Sequence, residues 1–161
     1  MSTPRGFTAI SRIDQLPDDI EPLRLEAAAG GFEFVSRLVE EWRSGVEDFS
    51  LPEEAFFEAR VRERLVGVGG VSIDPYLSAD PPIGRIRHLY VAEDMRGRGV
   101  GSALLQVILA HAKGNFRHVR LRVGDPTADP FYRARGFTPV TDRDDATHEI
   151  FLRSAQDVVL E

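Results

Sequence analysis

The 161-residue sequence contains no cysteine, which excludes disulfides, thiolate metal sites and cysteine nucleophiles. Its four histidines, His88, His111, His118 and His148, show no metal-ligand spacing, so chemistry without a metal is expected. Also absent is any run of roughly 20 apolar residues such as a membrane span needs. The start, Met1-Ser2-Thr3-Pro4-Arg5, lacks the apolar stretch of a secretory signal. A cytoplasmic protein with no membrane partner is the expectation. Positive charge is in deficit: 20 Lys and Arg against 26 Asp and Glu leave a formal charge of -6. That balance argues against a general nucleic-acid binder, because neutralising phosphates needs a basic surface. What is present, 42% hydrophobic residues in a chain of this length, suits one domain over residues 1–161 with a single core.

Hydrophobic periodicity divides the chain into alternating elements. Phe7 to Ile13 alternates as a strand. Asp18 or Asp19 is placed to cap a helix reaching Ala29, which Gly30-Gly31 stops. From Phe32 to Ser44, Phe34, Val35, Leu38, Val39 and Trp42 recur at helical spacing, an apolar stripe of the kind that packs on a core. Ala55 to Val61 and Leu65 to Ile73 read as a hairpin, with Gly67, Gly69 and Gly70 marking a bulge or a close neighbour. After a proline-rich loop, Arg85 to Ala92 reads as a strand with Ile86, His88 and Tyr90 on one side and Arg87, Leu89 and Val91 on the other. Ser102 to Lys113 is a helix apolar almost all round, Val119 to Val123 a strand, Ala128 to Arg135 a short helix, and Phe137 to Val140 and Thr147 to Leu152 two strands. The fold class is α/β or α+β, one mixed sheet with helices packed on it.

The most informative stretch runs Leu89-Tyr90-Val91-Ala92-Glu93-Asp94-Met95-Arg96-Gly97-Arg98-Gly99-Val100-Gly101-Ser102. It joins a strand, a turn in which glycines alternate with arginines, and a helix start. Alternate glycines let backbone N–H groups approach a ligand that side chains would block. The helix N-terminus adds unpaired donors and a partial positive charge of roughly half an electron, and Arg96 and Arg98 add two cations. These parts suit a pyrophosphate. The dinucleotide fingerprint fits badly, since Gly97-Arg98-Gly99 is followed by Gly101 rather than by a glycine three positions on. A nucleotide triphosphate loop fits worse, for no Gly-Lys-Ser or Gly-Lys-Thr is present.

Arg96-Gly97-Arg98-Gly99-Val100-Gly101 resembles the arginine-or-glutamine, x, x, glycine, x, glycine-or-alanine signature of the GNAT superfamily of acyl-CoA-dependent N-acetyltransferases. Downstream, Ala128-Asp129-Pro130-Phe131-Tyr132-Arg133-Ala134-Arg135-Gly136-Phe137 is similar to that family's second signature, an alanine, an aromatic-tyrosine pair and then glycine-phenylalanine. The resemblance covers Leu65 to Phe137 in motif and nearly the whole chain in element order. It implies a mostly antiparallel sheet of six to seven strands with about four helices, whose fourth and fifth strands splay around the pantetheine of acetyl-CoA.

Under the resemblance, Leu89, Tyr90 and Val91 pair with the pantetheine. Arg96, Gly97, Arg98, Gly99, Val100, Gly101 and Ser102 hold the pyrophosphate, and Phe131 and Tyr132 also face the cosubstrate. Family members often carry asparagine where Asp125 stands, a contact that an ionised aspartate accepts but cannot donate. The implied reaction is direct attack of a neutral primary amine on the thioester. Tyr132 is the implied proton donor to the leaving thiolate; packing is its alternative role. No carboxylate lies on the fourth strand, so the proton acceptor stays open among Glu58, His88 and water. Glu33, Asp74 and Asp80 are acidic residues that can attract a cationic amine. A homodimer is compatible with the family, and a non-catalytic acyl-CoA-binding module of the same fold is the alternative reading.

Overall fold

The computed structural model describes residues 8–152. In chain order the elements are β1 (Ala9–Ile13), α1 (Glu21–Ala29), α2 (Phe34–Ser44), β2 (Ala55–Val61), β3 (Arg64–Ile73), β4 (Gly84–Val91), α3 (Val100–Lys113), β5 (His118–Leu121), α4 (Asp129–Arg133), β6 (Thr138–Pro139) and β7 (His148–Phe151). Among the described residues, seven strands form one sheet in the order β1-β2-β3-β4-β5-β7-β6. Every neighbouring pair is antiparallel except β4 with β5. The expected elements are all present in the expected order. Phe7, expected to begin the first strand, lies outside the described residues.

Two apolar layers sandwich the sheet. On one face α3 buries Val100, Leu104, Leu105, Ile108 and Ala112, while Gln106 and Ala110 stay exposed. Its burial is therefore one-sided, narrower than its composition suggests. On the other face α1 and α2 bury Leu23, Ala27, Val35, Leu38 and Val39, and Trp42, Phe49 and Phe56 stack beside them with centroids 4.9 to 5.8 Å apart. Neither Asp18 nor Asp19 caps α1: its first cap is Ile20, with no side-chain bond. Asp19 instead accepts two 2.8 Å bonds from Arg60 on β2, so a long-range ion pair wins over local capping.

Close packing at β3 explains one of its glycines. A Cβ on Gly70 would stand 2.6 Å from the Phe56 ring and 2.7 Å from the Ala55 carbonyl, separations at which a real methyl overlaps its neighbours.

β4 controls the site through two irregularities. The first is a bulge: the β3–β4 register slips between Val68 and Gly70, opposite His88, whose φ is +61°. The extra residue breaks the expected alternation. Leu89 and Val91 face α3, against the sites of Gly69 and Gly101, whereas Arg87, His88 and Tyr90 all face α1–α2, against Glu41, Phe34 and Phe32. Ile86 does not share the face of Tyr90, as it would in an unbroken strand. It lies two residues from Gly84, whose missing Cβ faces Phe116 beyond the end of α3. The second irregularity is the split from β5. Among the described residues only Gly84 with Val119 and Arg85 with Arg120 are paired, and from Ile86 onward β4 has no partner on that side.

Candidate active site

The gap between β4 and β5 opens towards the glycine loop. Gly97 and Gly99 have φ of +75° and +87°, left-handed values that cost an L-residue about 1 to 2 kcal/mol. α3 starts at Val100, two residues earlier than its apolar pattern suggests, because Gly99 serves as its left-handed N-cap. Ala103 makes the first intrahelical bond, to Gly99 O at 3.0 Å, which leaves the N–H groups of Val100, Gly101 and Ser102 open at the positive end of the helix.

The two arginines of the loop behave differently. Arg98 is exposed and makes no hydrogen bond or ion pair among the described residues. Arg96 folds back: its Nε donates to Val91 O at 3.0 Å, and its guanidinium lies 5.2 Å from the Tyr90 ring centroid. Ala92 N–H donates to Val66 O on β3. Backbone groups alternate sides along a strand, so the polar groups of Val91 face the gap. Leu89, Tyr90 and Val91 lie on β4 beside the gap, but only the free edge at Leu89 and Val91 looks into the opening. Tyr90 turns its ring away, donating to Glu26 Oε2 at 2.5 Å. Glu26 also accepts from Glu93 N–H at 2.9 Å. Burial, reinforced by Glu26, pushes the Tyr90 phenol up to about 12. Nothing in the sequence marks Glu26, whose role arises from a contact 64 residues away.

α4 closes the other side. Phe131 stacks 3.9 Å under the Arg135 guanidinium, which also donates to Ser102 Oγ at 3.2 Å and so ties α4 to the start of α3. Tyr132 is 8% exposed, edged by Phe131 and Phe137, and burial alone pushes its phenol up to about 12. Behind it His148 places Nε2 2.7 Å from Asp129 Oδ1 and Nδ1 2.8 Å from Thr147 Oγ1, with its ring 5.6 Å from that of Tyr132. The hydrogen bond to His148 holds the Asp129 carboxyl below its ordinary value. This support was not anticipated, since nothing in the spacing of four scattered histidines marks one of them. Asp125 caps the turn before α4, accepting from Thr127 N–H at 3.0 Å, which lowers its pKa.

The two expected proton acceptors do not meet at the gap. Glu58 lies on β2, with all of β3 between it and β4, and its carboxylate accepts from Arg60 at 2.9 and 3.2 Å. His88 is on β4 but 8% exposed, stacked against Phe34 and Phe49. Burial first, then Arg87 and Arg37, pushes its pKa down to about 3, against a weaker upward pull from the Phe34 backbone. A neutral imidazole that resists protonation is a poor acceptor near neutral pH. Of the acidic residues expected to draw in a cationic amine, Asp74 is 2% exposed and bonded to Arg120 at 3.0 Å, so it offers no charge to solvent.

The sequence profile of the acetyltransferase (GNAT) family matches residues 18–137, from the turn before α1 to the residue before β6. This chain belongs to the GNAT acetyltransferase family. An acetyltransferase structure from Exiguobacterium sp. 255-15 is 28% identical, with 90% of this chain and 93% of that one superposed at a TM-score of 0.81. An acetyltransferase from Pyrococcus furiosus is 25% identical, covering 86% and 98% of the two chains at 0.66. The glucosamine-6-phosphate N-acetyltransferase of Arabidopsis thaliana, at 18% identity, 85% and 95% coverage and a TM-score of 0.59, shares the fold. No curated protein matches the sequence. A GNAT acyltransferase draws its acyl group from an acyl-CoA cosubstrate. The residues here fit that molecule: open backbone donors and the unpaired Arg98 suit its pyrophosphate, and the free edge of β4 suits the amides of its pantetheine.

Proposed function

We propose that this GNAT protein transfers the acetyl group of acetyl-CoA directly to a primary amine of a small molecule or peptide. The observation that carries the reading is the free edge of β4 beyond Arg85, running straight into the open donors of the Gly97–Ser102 turn. The pantetheine lies along that edge, displaces Arg96 from Val91 O, and brings the thioester to the bulge. The amine nitrogen bonds to the acetyl carbon, Leu89 N–H, on the free edge next to the bulge, stabilises the oxyanion, and the carbon–sulfur bond then breaks. One such donor is worth about 3 kcal/mol of barrier. The amine enters neutral and, once bonded to the carbonyl carbon, gives one N–H proton to water, for Glu58 is paired with Arg60 and His88 stays neutral.

Tyr132 serves the leaving sulfur. At about 12 its phenol is a weaker acid than a thiol of about 8.5. Its part is therefore to donate a hydrogen bond to the developing thiolate and pass the proton only as negative charge accumulates there. Tyr132→Phe is expected to lower kcat by about tenfold to a hundredfold while acetyl-CoA affinity changes less than about twofold. Thiol release and calorimetry measure the two. Unchanged turnover with a competent amine would remove Tyr132 from the chemistry. A non-catalytic acyl-CoA-binding module draws on one observation, the lack of a suited proton acceptor at the bulge. It predicts acetyl-CoA binding with no thiol release across amino acids, polyamines, aminoglycosides and peptides.

A further inference from the structure

Among the described residues, the buried side-chain nitrogens and oxygens without a hydrogen-bond partner are Ser72 Oγ, Arg85 Nη1, both ring nitrogens of His88, and His118 Nδ1. All lie on the α1–α2 face of the sheet. Ser72 pairs with Arg85 across β3–β4, Arg85 with Arg120 across β4–β5, and His118 stands two residues before Arg120 on β5, so these three side chains and Arg120 form a polar patch where the two central strands part. Buried polar groups are nearly always paired, by protein, water or ligand.

The ion pairs of this patch leave one cation over. Asp74 Oδ2 sits 3.0 Å from Arg120 Nε but 3.6 Å from Arg85 Nη1, and Asp74 Oδ1 accepts from Tyr76 N–H at 2.7 Å. Asp145 is shared by Arg120 at 3.1 Å and Arg143. Glu149 faces His118, and Glu41 faces Arg87. Among the described residues Arg85, 8% exposed, makes no hydrogen bond; it has the 3.6 Å ion pair with Asp74, which Arg120 holds closer, and the Tyr76 ring over its guanidinium at 5.0 Å. Tyr76 itself is 57% exposed, a cover with little holding it. The remaining acids, Asp142 and Asp144, are exposed on the loop before β7. A guanidinium fork is matched by a carboxylate or a phosphate, and Arg85 stands three residues before the bulge, roughly 10 Å along the strand.

We propose that the acceptor is an amine that also carries an anionic group, carboxylate or phosphate, which displaces Tyr76 and binds Arg85 while the amine reaches the thioester at the bulge. This rests on the acetyltransferase reading. The test uses matched acceptors: amino acids with their carboxamides, and amino-sugar phosphates with the free amino sugars, scored by thiol release. The anionic member of at least one pair should have a KM lower by about tenfold. Arg85→Gln should erase that ratio and Arg85→Lys keep part of it, with acetyl-CoA affinity reporting that each variant folds. The pair that responds distinguishes carboxylate from phosphate.

Equal KM values within both pairs, or a preference that survives Arg85→Gln, would overturn the proposal. Should Arg85→Gln fail to fold, Tyr76→Ala keeps the question open to measurement: uncovering the guanidinium should lower KM for the anionic member alone. A separate titration of the CoA-bound protein with inorganic phosphate and with acetate reads the site without turnover, by thermal shift. Anion binding lost in Arg85→Gln and weakened in Arg85→Lys, with no transfer to any amine, would sink the transferase reading but not the anion site. No shift with either anion would mean that water alone fills the space, and the proposal would be wrong.

Discussion

The two faces of β4 are built from different materials. Towards α3 and α4 the site is mostly backbone: open N–H groups at Val100, Gly101 and Ser102, a free strand edge, and loop arginines in solvent. Towards α1 and α2 it is buried side chains, with Arg120 at 1% exposure, Asp74 at 2% and His88 at 8%. A backbone site is insensitive to most substitutions and binds what every relative binds. A side-chain site in the interior couples recognition to stability, since its charges cannot be left unpaired.

Substitutions should therefore separate into two classes. Arg120→Leu leaves Asp74 facing only Arg85 at 3.6 Å and should cost about 3 to 5 kcal/mol of stability, read by denaturant unfolding. A second break is acid. His88 titrates at about 3 in the fold and near 6.5 in the unfolded chain. The unfolded state then binds a proton that the folded state refuses, so stability falls as pH drops from about 6.5 towards 3, by roughly 3 kcal/mol at pH 4. His88→Asn, which tolerates the left-handed backbone, should flatten that slope whatever it does to stability at neutral pH.

On the opposite face the costs move to affinity. Gly99→Ala, at φ +87°, should lose only about 1 to 2 kcal/mol of stability but weaken acetyl-CoA binding by about tenfold or more as the turn reshapes. Arg98→Gln should leave unfolding unchanged and weaken binding by about twofold to fivefold at low salt, with the difference shrinking as salt rises. If Arg98→Gln were as destabilising as Arg120→Leu, the division between the faces would not hold.

The same division decides what could be read in advance. Periodicity placed all the elements, and the loop from Arg96 to Ser102 announced the left-handed glycine turn and open helix start found there, because such features depend on glycine spacing that is local in sequence. The bulge at His88 was not legible, since alternation carries no mark of one inserted residue. Nor were Asp74 with Arg120 or Glu26 with Tyr90, pairs 46 and 64 residues apart. His148 behind Tyr132 was missed for the same reason, its partner Asp129 being brought to it by the packing of α4 on β7. Glu58 and His88 were sensible candidates by residue type, and their environments, an arginine on one and an aromatic box around the other, emerge only on folding.

The unpaired edge of β4 has a colloidal side. An open strand edge is a template for another chain, and here one runs from Ile86 to Val91 in the middle of the sheet. Two things blunt it in the ligand-free state: the flanking strand β5, which keeps large partners out, and Arg96, whose side chain occupies the carbonyl of Val91. Under the proposed function, an acyl-CoA bound along that edge would complete the blunting. Preparations stripped of CoA, and more so an Arg96→Ala variant stripped of CoA, should then clump on warming before they unfold, and adding CoA back should keep them dispersed.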